Sequence, residues 1–161
     1  MATAFLSKGE KVLMIKKAKS RLFPSEFWSG LGGHLEPQEI HSPMAACLRE
    51  IREESGIEAS EVSDLKLRYI LIRMKEDEIR QQFVYFGTTT TEELKESDEG
   101  ELHWIDQSEL LTLNLSRIVR SMLEHFISSS NDQEPAVGVI TVNGEQEPIM
   151  SWTKLKDPNV F

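Results

Sequence analysis

The sequence predicts an α/β fold in which strands and helices alternate along the chain. Runs with apolar residues at alternate positions, such as 82–91, are typical of strands. Two stretches, 42–56 and 115–128, carry apolar residues at helical spacing. The length of 161 residues and the 39% hydrophobic content suit one domain with a buried core, so we expect residues 1–161 to form a single domain.

The first half of the chain predicts a hairpin and a longer strand pair on either side of a central helix. Short strands are predicted at 3–6 and 11–17, joined by a turn at 8–10. After the central helix, long strands are predicted at 65–74 and 82–91, around an acidic turn at 75–78.

The second half of the chain predicts a helix followed by a β-hairpin. An acidic segment at 92–101 precedes a short strand at 102–105, a helical turn at 106–111 and an amphipathic helix at 115–128. A polar linker at 128–135 leads to a hairpin at about 136–152, with Asn143-Gly144 at its turn. This hairpin could extend the sheet, border a pocket or form a homodimer contact, and the sequence does not choose among these.

Composition excludes several classes of partner. The net charge of −9 argues against a nucleic-acid polymer, which needs a basic surface, but a small phosphorylated ligand stays compatible. No apolar run approaches the roughly 20 residues that span a membrane, and the N-terminus lacks signal-peptide features. We therefore expect a cytoplasmic protein with no membrane partner. The one cysteine, Cys47, is expected to be a buried small hydrophobe.

The central helix has signals at both ends and two distinct sides. Ser42 is expected to cap the first turn, Pro43 suits the first helical position, and Gly56 suits the left-handed residue after the last turn. An apolar stripe of Met44, Leu48 and Ile51 is expected to lie on the sheet while an acidic edge faces outward.

The acidic edge consists of Glu50, Glu53 and Glu54, which fall within one arc of the helix surface. Three carboxylates this close repel one another unless they share a cation. Mg²⁺ prefers oxygen ligands and is commonly held by a few carboxylates plus substrate phosphates. A solvated acidic helix face is the alternative interpretation of the same three residues.

The residues around this triplet resemble the signature of the Nudix hydrolases. That signature reads G-x5-E-x7-R-E-U-x-E-E-x-G-U, where U is a bulky aliphatic residue. Gly33, Glu39 and the run 49–57, REIREESGI, match its fixed positions. One departure is that nine residues, not seven, separate Glu39 from Arg49, which is a two-residue insertion around 41–43. The insertion leaves the spacing within the helix intact and puts the placement of Glu39 in doubt.

The resemblance implies a Nudix-like α/β/α sandwich with a mixed sheet and a magnesium site. It implies that Glu50, Glu53 and Glu54 hold Mg²⁺, with Mn²⁺ as an alternative ion, and that the backbone carbonyl of Gly32 joins the metal shell. The motif residues Gly33, Glu39 and Gly56 would have structural roles. Arg49 would orient a glutamate such as Glu39. The general base would be Glu53 or Glu99. The acidic segment would supply a further glutamate as a metal ligand or general base, with Glu99 as the first candidate and Glu101 as the second, and a flexible acidic loop is the alternative interpretation.

Substrate contacts are expected from the residues beside the signature. The loop at 23–30 carries Phe27 and Trp28, which are candidates to stack on a base or to pack beneath the loop. His34 adjoins the metal loop and is a candidate phosphate contact or an ordinary loop residue. One member of the basic run Lys16, Lys17, Lys19 and Arg21 is a candidate for a substrate phosphate, and a solvated strand end is the alternative.

The function that the resemblance implies is metal-dependent hydrolysis of a pyrophosphate bond. The substrate would be a nucleoside diphosphate derivative or a nucleoside triphosphate. By elimination, nucleoside triphosphates, including oxidised ones such as 8-oxo-dGTP, are the leading hypothesis. The main alternative is a non-catalytic Nudix-fold module that senses a nucleotide. A third interpretation is an acidic interaction protein in which the motif is fortuitous.

Overall fold

A mixed β-sheet with a helix on each face forms the core of a computed structural model, which describes residues 1–18, 25–95, 97–129 and 134–158. The strands are β1 Ala2–Lys8, β2 Lys11–Lys17, β3 Phe27–Ser29, β4 Leu31–Gly33, β5 Val62–Lys75, β6 Glu78–Thr89, β7 Glu101–Asp106, β8 Ala136–Val142 and β9 Pro148–Lys154. The α-helices are α1 Pro43–Ser55 and α2 Arg117–Ser128, and short 3-10 helices lie at Pro37–Glu39, Ala59–Glu61 and Gln107–Thr112. The predicted α/β/α arrangement is confirmed.

The sheet runs in the order β3-β2-β1-β6-β5-β8-β9, with β4 paired to β1 and β7 paired to β2. The pairs β1–β6 and β5–β8 are parallel, and the other pairs are antiparallel. The C-terminal hairpin, β8 and β9, therefore extends the sheet beyond β5.

Successive side chains of the strands enter two separate hydrophobic cores. On one face, here called the α1 face, Leu6 and Leu13 pack with Cys47 and Ile51. On the opposite face, the α2 face, Phe5 and Met14 pack with Met122 and Leu123. This alternation explains why the central strands carry nearly continuous apolar runs, since both of their faces are covered.

Helix α1 ends as predicted but begins differently. Gly56 has φ 78° and donates its N–H to the carbonyl of Arg52 at 2.9 Å, which confirms the left-handed end of the helix. The Ser42 hydroxyl makes no capping hydrogen bond, so that prediction is wrong. The backbone carbonyl of Ser42 instead accepts the N–H of Ala45 at 2.9 Å.

The stripe by which α1 packs on the sheet is also rotated from the prediction. Met44 is 41% exposed, whereas Ala46, Cys47 and Ile51 are buried. The helix thus contacts the sheet through a side that also carries Glu50. The burial of Cys47 agrees with the sequence-based expectation.

The turns lie where the sequence predicts them, but one of them differs from the predicted turn type. Gly9 has φ 59° in the turn between β1 and β2, and Glu76 has φ 55° between β5 and β6. The β8–β9 hairpin is not closed by a tight Asn-Gly turn. Its loop spans 143–147, where the side-chain oxygen of Asn143 accepts the N–H groups of Glu145 and Glu147 at 2.9 and 2.8 Å. The asparagine therefore acts through its side chain.

Some of the expected features lie outside the described residues. These are Lys19 and Arg21 of the basic run, positions 23 and 24 of the aromatic loop, Glu96 of the acidic segment, and positions 130–133 of the linker. Among the described residues, no helix combines the length and the apolar character needed to cross a membrane.

Candidate active site

The acidic edge of α1 does not face outward as a whole, which corrects the sequence-based expectation. Glu50 and Glu54 are only 7% and 2% exposed, while the side chain of Glu53 is 51% exposed. The two buried carboxylates lie beneath the glycines of β4 and the end of β2. Burial is tolerated because each of them meets a cationic partner.

Glu54 is held by one lysine and one backbone amide. Its Oε1 lies 3.2 Å from Nζ of Lys17, and its Oε2 accepts the N–H of Gly32 at 2.6 Å. Burial raises the pKa of the Glu54 carboxyl, and Lys17 and the Gly32 N–H oppose that rise by stabilising the ionised form. The contact also places Gly32 directly beside the acidic cluster.

Lys17 joins the helix to the acidic segment at 92–101. Its Nζ donates to Oε2 of Glu99 at 2.6 Å while it contacts Glu54. This hydrogen bond lowers the pKa of Glu99. Burial disfavours the charge of Lys17, but the hydrogen bond to Glu99 and the charge of Glu54 hold its pKa above the ordinary value. Lys17 is therefore charged and shared between two carboxylates.

Arg49 connects the other carboxylates. It donates to both oxygens of Glu39 at 2.8 and 2.9 Å, to Glu50 at 2.9 Å and to Glu53 at 2.8 Å. The hydrogen bonds from Arg49 and the N–H of Glu36 lower the pKa of Glu39 to about 2. The hydrogen bonds of Arg49 to Glu39, Glu53 and Glu50 raise the pKa of Arg49 above its ordinary value. Arg49 therefore stays charged and fixes three carboxylates around it.

The two-residue insertion forms a turn that leaves Glu39 in contact with Arg49. The backbone N–H of Ser42 donates to the carbonyl of Glu39 at 2.8 Å, so the extra residues form a turn between the 3-10 helix and α1. Glu39 is 8% exposed and faces Arg49. Glu39 and Arg49 are therefore in contact across the insertion.

Gly33 permits the close packing of Glu50 against β4. A Cβ at residue 33 would overlap the Glu50 carboxylate, with Glu50 Oε2 at 2.8 Å and the other oxygen still closer. A side chain at residue 33 would therefore force the Glu50 carboxylate to shift. Burial raises the pKa of Glu50, and its hydrogen bond from Arg49 opposes that rise.

The three helix carboxylates and Glu99 border one cavity of about 460 Å³. Its lining residues are Glu50, Glu53, Glu54, Lys95, Ser97, Asp98 and Glu99. Carboxylate oxygens of this kind are the hard donors that Mg²⁺ prefers, so the donor chemistry of the cavity fits a divalent metal. In the part of the chain that the structure describes, no three His, Cys, Asp or Glu side chains already stand in metal-coordinating geometry. Here Arg49 and Lys17 are the cations that the carboxylates contact.

The aromatic candidates Phe27 and Trp28 lie on opposite faces of the sheet. Phe27 is paired with Lys17 and shares the α1 face with the carboxylates, whereas Trp28 is paired with Lys16 and packs on the α2-face core. The Trp28 ring contacts the His103 ring edge-on, at a centroid distance of 5.2 Å. The structure thus brings Phe27, and not Trp28, to the carboxylate side.

The remaining candidates, Glu101 and His34, do not place a side chain among the carboxylates. Glu101 is paired with Lys16 on the α2 face, so it points away from the cluster that contains Glu99. The side chain of His34 is exposed, and its backbone carbonyl accepts a hydrogen bond from Arg49 at 3.1 Å.

Sequence reasoning missed the double contact of Lys17 and the presence of Lys95, Ser97 and Asp98 at the cavity. Lys17 belonged to the basic run that was singled out, but strand register alone decides which lysine of that run faces α1. The other three belong to a segment recognised only as acidic.

Comparison with known proteins identifies the family and the fold. The family model of the NUDIX domain matches residues 2–126. A MutT mutator protein from Bacillus halodurans is 23% identical, with a TM-score of 0.67 over 98% of this chain and 97% of that chain. A Nudix hydrolase from Nitrosomonas europaea is 17% identical, with a TM-score of 0.69 over 86% of this chain and 76% of that one.

A third similar structure is a C. elegans Ap4A hydrolase in a binary complex. It is 15% identical, with a TM-score of 0.62 over 81% of this chain and 94% of that chain. No curated protein matches the sequence.

Proposed function

The chain belongs to the Nudix family and is a hydrolase acting on pyrophosphate bonds, and from this premise we propose that it cleaves a nucleotide with the help of Mg²⁺. The substrate is a nucleoside triphosphate or a nucleoside diphosphate derivative. The observation that carries the proposal is the cavity bordered by Glu50, Glu53, Glu54 and Glu99.

The metal ligands in this proposal are Glu50, Glu53 and Glu54, together with the carbonyl of Gly32. Support comes from the shared cavity and from the hydrogen bond between the Gly32 N–H and Glu54, which puts this glycine next to the carboxylates. When bound, Mg²⁺ or Mn²⁺ offsets negative charge on the phosphates and lowers the pKa of water. The side chain of Glu53 is 51% exposed and can change its rotamer within the cavity at the smallest cost in packing.

The reaction adds the oxygen of water to phosphorus and breaks the phosphoanhydride bond, so the water gives up a proton to a nearby base. Glu53 and Glu99 are the two proposed bases. Both side chains are about half exposed and border the cavity, so a water molecule can reach either one. Arg49 is a positioning residue, since it holds Glu39, Glu50 and Glu53 in place.

Substrate phosphates are proposed to meet Lys17, since its charge lies at the cavity between Glu54 and Glu99. Phe27 shares its face of the sheet and is the better-placed aromatic residue for a base. Trp28 and His34 are also proposed as substrate contacts, although Trp28 packs on the opposite face of the sheet. Among nucleotides, nucleoside triphosphates, including oxidised ones such as 8-oxo-dGTP, lead by elimination.

The rival proposal is a Nudix-fold module that binds a nucleotide without cleaving it. Its main support was the insertion before α1. The bidentate pairing of Arg49 with Glu39 weakens that support, because the loop and the helix keep their contact across the insertion.

The test measures phosphate and pyrophosphate release from a panel of compounds, with and without Mg²⁺. The panel contains ordinary and oxidised nucleoside triphosphates, nucleotide sugars and a diadenosine polyphosphate, which is included because of the similarity to an Ap4A hydrolase. We expect Mg²⁺-dependent release from at least one compound, and a loss of about a hundredfold or more in Glu53→Gln if that residue is a ligand or base.

The matched control is Glu124→Gln, at an exposed position of α2 on the other side of the sheet. It should keep the rate of the unaltered protein. Equal rates in Glu53→Gln and Glu124→Gln would refute the assignment of Glu53. No release from any compound, together with saturable nucleotide binding, would favour the sensor.

A further inference from the structure

Among the described residues, helix α1 covers only one side of the α1 face of the sheet. Helix α1 packs mainly on β1 and β4, with a smaller contact to β6. Strands β5, β8 and β9 lie beyond it in the sheet order. Their side chains on this face, with those at the start of β6, form a surface that the described part of the chain leaves accessible.

Strand register shows that this surface is apolar. Ile72 is paired with Val139, Met74 with Ile79, and Thr141 with Ile149, so these side chains share one face. We call the surface the aliphatic face and define it by Ile70, Ile72, Met74, Ile79, Val139 and Ile149. Met74 is 62% and Ile79 is 73% exposed, while a core position is usually below a tenth.

The aliphatic face carries no charged side chain at its paired positions. The polar residues within it are neutral, namely Gln81, Thr141, Ser151 and Thr153. The opposite face of the same strands carries Arg73, Lys75, Glu78, Arg80 and Lys154. Charged residues make up 28% of the chain, yet on these strands they lie on the opposite face. An exposed surface without charge is typical of one that is covered by a partner.

We propose that the aliphatic face binds a second copy of this chain, face to face, across a two-fold axis. A neutral aliphatic surface has no charge with which to select a charged partner. Two copies of it can pack against each other, because apolar side chains then meet apolar side chains. Two chains of net charge −9 repel each other, so a dimer is favoured where their surfaces are free of charge. This proposal is independent of the reaction proposed above.

The extent of the aliphatic face sets the expected strength of the dimer. Four strands spaced at about 4.8 Å and rows of about five residues give a surface of roughly 20 by 18 Å. Two such surfaces have a plane area of roughly 700 Å² in total. Side chains that project from both surfaces raise the buried area toward about 1,000 Å², which is the lower limit for a specific interface. The dimer is therefore expected to be reversible, with dissociation in the micromolar range.

The experiment is sedimentation velocity on the full chain over a wide concentration range. We expect a monomer–dimer equilibrium that shifts toward the dimer at higher salt, because salt screens the repulsion between the two acidic chains. Val139→Lys and Ile79→Lys place a charge within the aliphatic face. Each should raise the dissociation constant by at least about tenfold.

The matched control is Ile127→Lys, because Ile127 is 45% exposed, close to the 41% of Val139, but lies on α2 on the other face of the sheet. It should leave the dissociation constant within about twofold. Circular dichroism of all three variants checks that the fold is retained.

Three outcomes would overturn the proposal. The chain could remain monomeric at every concentration, as it would if another segment of its own covered the aliphatic face. A dimer could persist unchanged in Val139→Lys and Ile79→Lys, as expected for pairing through the edge of the sheet at β9. Finally, Ile127→Lys could weaken the dimer as much as the other two variants.

Discussion

Arg49 donates hydrogen bonds from Nε and Nη2 to the two carboxylate oxygens of Glu39, at 2.8 and 2.9 Å. This planar, bidentate pairing is the geometry that arginine offers and lysine does not. It spans the two-residue insertion and ties the 3-10 helix at Pro37–Glu39 to α1. Because Arg49 also contacts Glu50 and Glu53, the pair links the 3-10 helix to two of the three helix carboxylates.

We expect Glu39→Gln to lower the melting temperature at neutral pH by about 5 °C, because it removes the charge that Arg49 contacts. The pKa of Glu39 in the folded protein, about 2, lies below its ordinary value of 4.5. Its ionised form therefore stabilises the fold above pH 4.5, and this contribution is lost as the pH falls from 4.5 toward about 2. Thermal melts of both proteins across this range test the expectation.

The difference in melting temperature between the two proteins should be largest at neutral pH and vanish near the acid end of the range. A difference that is constant across the range would contradict the ionic role of Glu39. Glu124→Gln serves as the control and should follow the unaltered protein at every pH.

Gly33→Ala should reduce turnover by about tenfold or more, since the added methyl group displaces the Glu50 carboxylate and small displacements of a reacting group are costly. Gly144→Ala is the control, because a Cβ at residue 144 meets no atom within 4 Å. The measurement is kcat/KM for the substrate found in the panel, with circular dichroism as a check of folding. If Gly33→Ala retained the full rate, the close approach of Gly33 and Glu50 would be unimportant for the reaction.

Lys17→Met and Lys16→Met separate two neighbouring lysines that face opposite sides of the sheet. Lys17 contacts Glu54 and Glu99, whereas Lys16 contacts Glu26 on the other side. Loss of a charge-assisted hydrogen bond to a substrate phosphate should raise KM by about tenfold in Lys17→Met. Lys16→Met should stay within about twofold, as is usual for surface changes.

Steady-state kinetics on both variants is the measurement. Equal effects of the two substitutions would argue against a specific phosphate contact by Lys17. A lower kcat with an unchanged KM in Lys17→Met would instead assign this lysine to the positioning of Glu54 and Glu99.

Cys47 should resist alkylation in the native protein at mildly alkaline pH. It is 1% exposed, and burial, with a smaller effect of Glu50, raises the pKa of its thiol to about 12. The thiolate that reacts with iodoacetamide is therefore scarce and inaccessible. Mass spectrometry should detect the adduct only after denaturation, and rapid labelling of the native protein would contradict the burial of this side chain.

The same pKa predicts the direction in which stability changes at high pH. Burial keeps the thiol of Cys47 neutral in the folded protein. The neutral thiol therefore contributes fully to the free energy of unfolding below the pKa that this thiol has in the unfolded chain. That contribution declines as the pH rises from the unfolded value toward about 12.

The sequence alone located the acidic cluster, because the spacing of Glu50, Glu53 and Glu54 on one helix is a local property. The end of α1 at Gly56 and the hairpin after residue 136 were also predictable, since each depends on a few neighbouring residues. The capping role of Ser42 was not realised, because the backbone carbonyl of Ser42 takes up the first N–H groups of the helix region without help from its hydroxyl.

The tertiary structure decided which of these residues meet. Lys17 reaches Glu54 and Glu99 because β2 crosses beside α1, and strand register puts Phe27 on that face and Trp28 on the other. Register and helix rotation depend on contacts between residues far apart in sequence, and a local pattern does not encode them. For the same reason the aliphatic face appears only when β5, β6, β8 and β9 are aligned, since each strand contributes just one or a few of its residues.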